Sequence, residues 1–187
     1  MTTGLLLIDI QNDYFPGGKM ELVGMESAAA NAAKLLAGAR AAGAPVFHVR
    51  HISVHEGATF FLPDSEGVLT NPAVAPADGE PVIEKNFPNS FRSTGLDAEL
   101  KAAGVDKLVV AGAMSHMCID ASTRAAADLG YGCTVAADAC ATRDLAFGDE
   151  AVPAAKAHAA FMAALGQAYA AVVTTEEAVS ELGGPSA

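Results

Sequence analysis

KLVVAGAMSHMCIDASTRAAADLGYGCTVAADAC (107–140) contains the pattern that decides the fold. KLVVAGAM (107–114) is a short apolar run that predicts a buried strand, and a helix is predicted from about Ser115 to Gly130. GCTVAADAC (132–140) predicts the next strand. A strand, a helix and a strand in this order form a unit whose two strands lie parallel.

The same alternation continues on both sides of this unit. Further strands are predicted at GLLLIDI (4–10), PVFHVRH (45–51), PVIEK (81–85) and YAAVVTT (169–175). Further helices are predicted from Ser27 to Gly43, over LDAELKAAG (96–104), over VPAAKAHAAFMAALG (152–166) and over TEEAVSEL (175–182). This order predicts one α/β domain over residues 1–187, with three α/β/α layers around a doubly wound, mostly parallel six-stranded sheet of the Rossmann-like kind. The tail GGPSA (183–187) is expected to fray.

Charge and cysteine content exclude several classes of function. The net charge is −11, and the basic residues are scattered, so neither nucleic acid nor a membrane is a predicted partner. Three cysteines without CxxC spacing argue against a disulfide framework, a zinc knuckle or a redox pair. MTTGLLLIDIQND lacks the basic flank of a signal peptide, so the expected compartment is the cytoplasm. No GxGxxG follows the first strand, which argues against a nucleotide-binding oxidoreductase.

Reactive residue types follow three of the predicted strands. Ligands of doubly wound sheets bind outside the carboxyl ends of the strands, and Asp9, Lys85 and Met114–Cys118 all lie at such ends. A partly buried Asp9 is suited to act as a general base, although a carboxylate there could also cap a loop. Lys85 would favour an ionised thiol in a cleft, or it is a solvated surface charge.

Cys118 is the predicted nucleophile because of its place at the start of a helix. A helix N-terminus presents free N–H groups and a positive dipole, which lower a thiol pKa and can hold an oxyanion. A free cysteine is more often a small buried apolar residue, which is the interpretation for Cys133 and Cys140.

Three stretches of the chain resemble the isochorismatase-like cysteine hydrolases, which include nicotinamidases, N-carbamoylsarcosine amidases and ureidoacrylate amidohydrolases. They are LLLIDIQNDYF (5–15), Lys85 and AGAMSHMCIDASTRAAADLGY (111–131), and the resemblance runs from about Leu5 to Val173. It implies a catalytic triad of Asp9, Lys85 and Cys118. It also implies a cis peptide bond between Ala113 and Met114, which would turn the Met114 N–H toward the Cys118 N–H and form an oxyanion hole.

The resemblance implies a small-molecule substrate and hydrolysis of a carboxamide, lactam, ureido or carbamoyl group through a thioester. HISVHEGATFFLPDSEG (51–67) and KNFPNSFRSTGL (85–96) look like a subgroup that includes streptothricin-hydrolase-like sequences. One alternative is vinyl ether hydrolysis of the isochorismatase type, which is less attractive because such members can lack the cysteine. The other alternative is a non-catalytic interaction protein on the same fold.

A metal is not predicted, and neither is any other cofactor. His48 and His51 lie in an extended segment, where odd spacing sends their side chains to opposite faces, and His55 lies further along. Nicotinamidases typically carry an Asp-x-His metal pair in this region, whereas residues 44–63 here offer only the acid Glu56. A substrate contact by His51 alone is favoured over a metal site.

The segment from Ile52 to Glu80 has no clear periodicity and is predicted to cover the pocket. Phe60 and Phe61 either pack against the body of the protein, form a lid or complete a neighbouring subunit's site. Tyr14 and Phe91 are predicted to line an apolar pocket, and Gln11 is predicted to bind substrate through a hydrogen bond within the site or to support Asp9. The Ala-rich helices and the resemblance together favour a homo-oligomer, either a dimer or a tetramer.

Overall fold

The computed structural model describes residues 1–183, and its strands are numbered here in chain order. They are β1 (Thr2–Ile8), β2 (Val46–His51), β3 (Val82–Lys85), β4 (Val105–Ala113), β5 (Gly132–Ala141), β6 (Leu145–Phe147), β7 (Glu150–Val152) and β8 (Ala171–Val173). Six of them form a sheet in the order β3-β2-β1-β4-β5-β8, in which all neighbours are parallel. The predicted six-stranded sheet is confirmed. Its strand order reverses between β1 and β4, so a ligand crevice is expected beyond the carboxyl ends of these two strands.

Helices cover both faces of this sheet. They are α1 (Met25–Ala42), α2 (Leu96–Ala102), α3 (Asp120–Asp128), α4 (Ala154–Ala168) and α5 (Thr175–Gly183). Leu5 and Leu7 of β1 belong to the core cluster shared with α1 and α5, whereas Leu6 and Ile8 belong to the cluster shared with α2, α3 and α4. This alternation buries β1 on both faces and confirms the three layers. None of the helices within residues 1–183 has both the length and the apolar character needed to cross a membrane.

Element boundaries differ from the sequence prediction at two places near the site. The first strand ends at Ile8, because Asp9 has a left-handed φ of 52° that is incompatible with a strand. The predicted helix from Ser115 begins instead as a π-helical turn over Ser115–Ile119, which continues into α3. The predicted fraying of GGPSA falls on residues 184–187, which lie outside the described residues, and on Gly183, which ends α5.

A hairpin of β6 and β7 lies where no strand is predicted. The two strands have three residues each, which is too short for an alternating pattern to be recognised. The helix that was predicted to begin at Val152 begins two residues later. Val152 ends β7, and α4 begins at Ala154, after Pro153.

Gly112 of β4 lies so close to the backbone of β1 that it leaves no room for a side chain. Its φ is +132°, and an added Cβ would lie 1.9 Å from the carbonyl oxygen of Ile8. We expect Gly112→Ala to lower the free energy of unfolding by about 3–5 kcal/mol, because it combines backbone strain with a clash that must move a strand. Urea unfolding measures this loss.

Gly104→Ala is the matched control for this substitution. Gly104 also has a positive φ, +67°, but a Cβ there would meet no atom within 4 Å. Its replacement should cost only the left-handed strain of about 1–2 kcal/mol. Equal losses for the two variants would contradict the close approach at Gly112.

Candidate active site

The ammonium group of Lys85 is the centre of the candidate site. Lys85 ends β3 and is 1% exposed. Its Nζ donates hydrogen bonds to Asp9 Oδ2 at 2.7 Å, to His51 Nδ1 at 3.0 Å and to Cys118 Sγ at 3.4 Å. An ammonium has three N–H groups and no acceptor, so these contacts use its full capacity. The fold thus brings the three residues of the predicted triad together.

The parallel sheet explains why these residues meet. Asp9 follows β1, Lys85 ends β3 and Cys118 lies in the π-helical turn after β4, so all three lie at the carboxyl edge. The Asp9 N–H donates to the carbonyl of Val49 in β2 at 3.0 Å, which holds the residue beside that strand. His51 is the register partner of Lys85 across β2 and β3, so their side chains leave the sheet side by side.

The start of a helix predicts a lowered thiol pKa at Cys118, and this prediction is wrong for the resting site. Burial raises the pKa of the Cys118 thiol, and the nearby Asp9 carboxylate raises it further, against the opposing effect of Lys85. Burial alone would lower the pKa of the Lys85 ammonium, but the attraction of Asp9 and Cys118 outweighs it and raises that pKa. The resting site therefore holds a protonated thiol beside a charged ammonium.

Asp9 retains one oxygen that Lys85 does not occupy. Its Oδ1 is buried and makes no hydrogen bond of normal geometry within residues 1–183. Cys118 Sγ, an Asp9 oxygen and a His51 ring nitrogen all lie within 4.8 Å of one another. A buried acceptor without a partner is costly, and an oxygen of the same carboxylate lies within 4.8 Å of the Cys118 sulfur.

The peptide bond between Ala113 and Met114 is cis, at the position that the resemblance implies. Met114 is 7% exposed and Cys118 is 5% exposed, so little of either residue reaches the surface. Ser115, between them in sequence, places its Oγ 3.2 Å from the carbonyl oxygen of Ala141 and 2.8 Å from His158 Nδ1. These bonds attach the π-helical turn to β5 and α4. The oxyanion hole of the Met114 and Cys118 N–H groups stays a prediction.

Gln11 supports the site and has little left to offer a substrate. Its Nε2 donates to the carbonyl oxygens of His51 at 2.9 Å and Val68 at 2.8 Å, and its Oε1 accepts the His51 N–H at 2.8 Å. Both amide hydrogens and the amide oxygen are therefore engaged, and the side chain is fully buried. The substrate contact predicted for Gln11 is not supported, because the amide clamps the main chain of His51.

Three aromatic rings pack together beside the triad. Tyr14 lies 4.6 Å from Phe61 and 6.0 Å from Phe60 between ring centroids, and Phe60 lies 4.9 Å from Phe61. Burial raises the pKa of Tyr14 well above its ordinary value, and the nearby Asp9 carboxylate raises it further. Phe60 and Phe61 therefore pack on Tyr14 of their own chain. They belong to the segment from Ile52 to Glu80, called the covering segment below, and this part of it lies beside the triad.

Phe91 does not belong to the aromatic cluster of Tyr14, Phe60 and Phe61. It packs on the opposite face of the sheet, where its ring stacks on Tyr131 at 6.2 Å. Tyr131 immediately precedes β5 and so marks the amino edge of the sheet, away from the triad. The pocket-lining role predicted for Phe91 has no support from this position.

Asp13 is a structural anchor that sequence reasoning missed. Its carboxylate accepts the Phe61 N–H at 2.6 Å and the Lys19 N–H at 3.1 Å. Nearby, Asn12 Nδ2 donates to the carbonyl of Glu66 at 3.0 Å. The polar run QND directly after a buried strand is the signal that could have indicated this role, because buried polar side chains must find partners. The stretch DIQND (9–13) thus contains both the predicted triad residue Asp9 and the Asp13 that attaches the covering segment.

The three histidines of the possible metal site do not converge. His48 Nε2 lies 2.9 Å from Glu80 Oε2, and the exposed His55 lies 3.1 Å from the carbonyl of its neighbour Glu56. Within residues 1–183, one group of three potential ligands is close enough for an ion: Asp9, His51 and Cys118. The Lys85 ammonium already contacts all three, so a metal cation there would have to displace a buried cation of the protein.

Glu80 attaches the end of the covering segment to the body of the protein. It accepts hydrogen bonds from Arg40 at 2.7 and 2.8 Å and lies against His48. The Arg40 guanidinium lowers the pKa of Glu80 from 4.5 to about 2. A carboxyl with a lowered pKa stabilises the fold above its ordinary pKa, and this contribution is lost as the pH falls toward the folded value.

We therefore expect Glu80→Gln to lower the free energy of unfolding by about 1–2 kcal/mol at pH 6, and by less at each step toward pH 3. Urea unfolding of both proteins across this range measures the difference. A difference that grows on acidification would contradict the assignment of Glu80 as an ionised partner of Arg40.

The fold and the site together define a class of protein: a doubly wound α/β protein with a buried thiol, carboxylate and ammonium at the carboxyl edge of its sheet, an arrangement consistent with a catalytic triad. The family model of the isochorismatase domain matches residues 3–177. The chain therefore belongs to the isochorismatase family.

Relatives support this assignment along the whole chain. The isochorismatase-family protein YddQ of Bacillus subtilis is 57% identical over 176 residues, which cover 94% of this chain and 98% of that protein. Streptothricin hydrolase of Streptomyces noursei is 36% identical over 87% of this chain and 59% of its own length. Maleamate amidohydrolase of Pseudomonas putida is 31% identical over 95% of this chain and 85% of its own length. The crystal structure of an isochorismatase hydrolase from Oleispira antarctica has a TM-score of 0.93 and 56% identity, with 96% of each chain covered.

Proposed function

We propose that this hydrolase cleaves an amide-type C–N bond of a small molecule, with Cys118 as nucleophile, Asp9 as general base and Lys85 as the fixed counter-charge. The single observation that carries the proposal is the Lys85 ammonium, which contacts the carboxylate and the thiol at once. The similarity to maleamate amidohydrolase supports a carboxamide among the possible groups.

Charge balance determines the first step. With Asp9 ionised, Lys85 charged and Cys118 protonated, the buried cluster is neutral. Loss of the thiol proton to solvent would leave a net negative charge in a buried site, which is costly. Transfer of that proton to Asp9 Oδ1, the unoccupied oxygen, keeps the cluster neutral and gives a thiolate 3.4 Å from the ammonium. Because the thiol pKa is raised, the protonated thiol is the favoured form of the free site, and the proton moves to Asp9 when the sulfur attacks the substrate.

The remaining steps follow from this proton transfer. The thiolate adds to the amide carbonyl, and the N–H groups of Met114 and Cys118 are the proposed donors to the oxyanion. Asp9 then returns its proton to the departing nitrogen as the C–N bond breaks, which leaves a thioester on Cys118. Water activated by the ionised Asp9 hydrolyses the thioester, and the proton returns to the thiol.

Burial of the site limits the size of the group that Cys118 can attack. Asp9, Lys85 and Cys118 are each at most 5% exposed. Phe60 and Phe61 belong to a segment without helices or strands other than two single-turn 3-10 helices, and Asp13 ties this segment down. We propose that substrate entry requires a local movement of this segment and that primary amides of small acids reach the thiol most readily.

An ammonia-release screen over carboxamides, ureides and lactams tests the proposal. Turnover of at least one class, with a covalent acyl adduct of Cys118 detected by mass spectrometry after acid quench, is the expected result. Release of ammonia without any adduct, or no turnover while the site cysteine reacts readily with alkylating agents, would count against a thioester pathway. The homo-oligomer stays a prediction, and light scattering of the purified protein tests it.

A further inference from the structure

His51 is the third acceptor of the Lys85 ammonium and has no part in the triad. Because an ammonium can only donate, His51 Nδ1 must accept at 3.0 Å and carries no proton. The ring proton of a neutral histidine is then on Nε2. Desolvation and the neighbouring Lys85 charge together lower the pKa of His51 to about 4, so the ring is neutral above this range.

The main chain of His51 is held in place from the opposite side. The Gln11 amide bonds both its N–H and its carbonyl group, at 2.8 and 2.9 Å. The ring lies 6.1 Å from Phe61 between centroids. A histidine with a clamped main chain and an engaged Nδ1 has little freedom to rotate, so the direction of its Nε2–H is set in advance.

The Nε2–H group is open to a molecule that enters the site. It makes no hydrogen bond within residues 1–183, and it is not among the enclosed polar atoms that lack a partner. A ring nitrogen of His51 lies within 4.8 Å of Cys118 Sγ. Whichever nitrogen this is, Nε2 lies on the same ring, so its N–H can reach an acceptor that neighbours the attacked carbonyl, but it is poorly suited to an apolar group there.

We propose that His51 positions Lys85 through Nδ1 and, through Nε2–H, selects substrates with a hydrogen-bond acceptor within a few bonds of the carbonyl that Cys118 attacks. The selection half rests on the proposed function, whereas the positioning half does not. Among uncharged substrates, the expected class is therefore an amide with a keto, ester or second amide oxygen near the attacked carbonyl.

Two substitutions separate the two halves of the proposal. In His51→Asn the side-chain oxygen takes the place of Nδ1 and retains the acceptor for Lys85, but the distal donor is lost. In His51→Gln the amide nitrogen takes the place of Nε2 and retains the distal donor, but the acceptor for Lys85 is lost. His51→Phe removes both groups and retains a flat ring.

The first readout is the rate at which iodoacetamide alkylates Cys118, with Cys118→Ala as the blank. We expect His51→Asn to stay within about threefold of the unaltered protein, because Lys85 retains three acceptors. His51→Gln and His51→Phe should react at least about tenfold more slowly, because a released ammonium first loses its longest contact, the one to Sγ. Equal slowing by the Asn and Gln variants, or an Nδ1–H tautomer in nitrogen-15 NMR of His51, would overturn the positioning role.

The second readout is protection of Cys118 from alkylation, which measures binding without turnover. The probes are 4-oxopentanamide and 4-methylpentanamide, which have similar shapes and differ in one acceptor oxygen. The unaltered protein and His51→Gln should prefer the oxo compound by about three- to tenfold, and His51→Asn should show no preference. Where turnover is measurable, the loss in His51→Asn should appear in KM rather than kcat. A preference that survives in His51→Asn would overturn the selection role, and absence of turnover alone would count only against the proposed function.

Discussion

Cys118→Ala is expected to reduce amide hydrolysis by at least about 10⁴-fold, because no other group in the cluster can form the acyl intermediate. The fold should tolerate this change, since the side chain loses a single sulfur atom and the Asp9–Lys85 pair stays neutral. Steady-state ammonia release and thermal unfolding of the same preparations measure the two effects. A folded Cys118→Ala protein with substantial turnover would disprove nucleophilic catalysis by this residue.

Cys133→Ala is the matched control for the loss of a buried thiol. Cys133 is 9% exposed, and its Sγ donates weak hydrogen bonds to the carbonyls of Thr123 and Tyr131, away from the triad. Burial raises the pKa of this thiol to about 11, so it is protonated at neutral pH. We expect the variant to lose some stability and to retain its activity. Equal loss of turnover in both alanine variants would indicate a structural effect instead of lost chemistry.

Lys85→Met is expected to reduce both stability and activity. The Lys85–Asp9 ion pair joins two side chains with no exposed surface, at 2.7 Å. Removal of the ammonium leaves a buried carboxylate without its counter-charge, and such changes cost about 3–5 kcal/mol. Activity should fall at least about 10³-fold, because the thiolate also loses its stabilising charge. Urea unfolding and ammonia release measure the two losses.

The double variant Asp9→Asn with Lys85→Met separates charge burial from lost packing. It restores a neutral cluster, so we expect it to be more stable than Lys85→Met alone and yet inactive. Lys101→Met serves as the surface control, because the Lys101–Asp97 pair is exposed and should contribute little to stability. A double variant no more stable than Lys85→Met would show that the cost does not arise from the unpaired carboxylate.

Much of the fold and part of the site could be predicted before the tertiary structure was known. The alternation of buried runs and helical stretches predicts the parallel sheet, and parallel strands present their carboxyl ends at one edge. Asp9, Lys85 and Cys118 are therefore expected at the same edge, and the structure places them there. The β6–β7 hairpin was missed, because strands of three residues carry too little periodicity.

Contacts between side chains were predicted less well than positions along the strands. Phe91 is close to Lys85 in sequence, yet its ring stacks on Tyr131 and not on the aromatic rings of Tyr14, Phe60 and Phe61. Gln11 was predicted to contact substrate or to support Asp9, and it instead clamps the main chain of His51. In both cases the deciding factor is the direction of one side chain, which depends on neighbours that are distant in sequence.

The sequence by itself determined which residue types stand at the strand ends, because local periodicity and the geometry of parallel sheets are sufficient for that. Only the tertiary structure decided which acceptors share the Lys85 ammonium. The register of β2 on β3 pairs His51 with Lys85, and no local pattern encodes such a register. The tertiary structure also decided the direction of the Cys118 pKa shift. Burial and the Asp9 charge raise this pKa and the Lys85 ammonium lowers it, and the balance depends on distances that the sequence does not give.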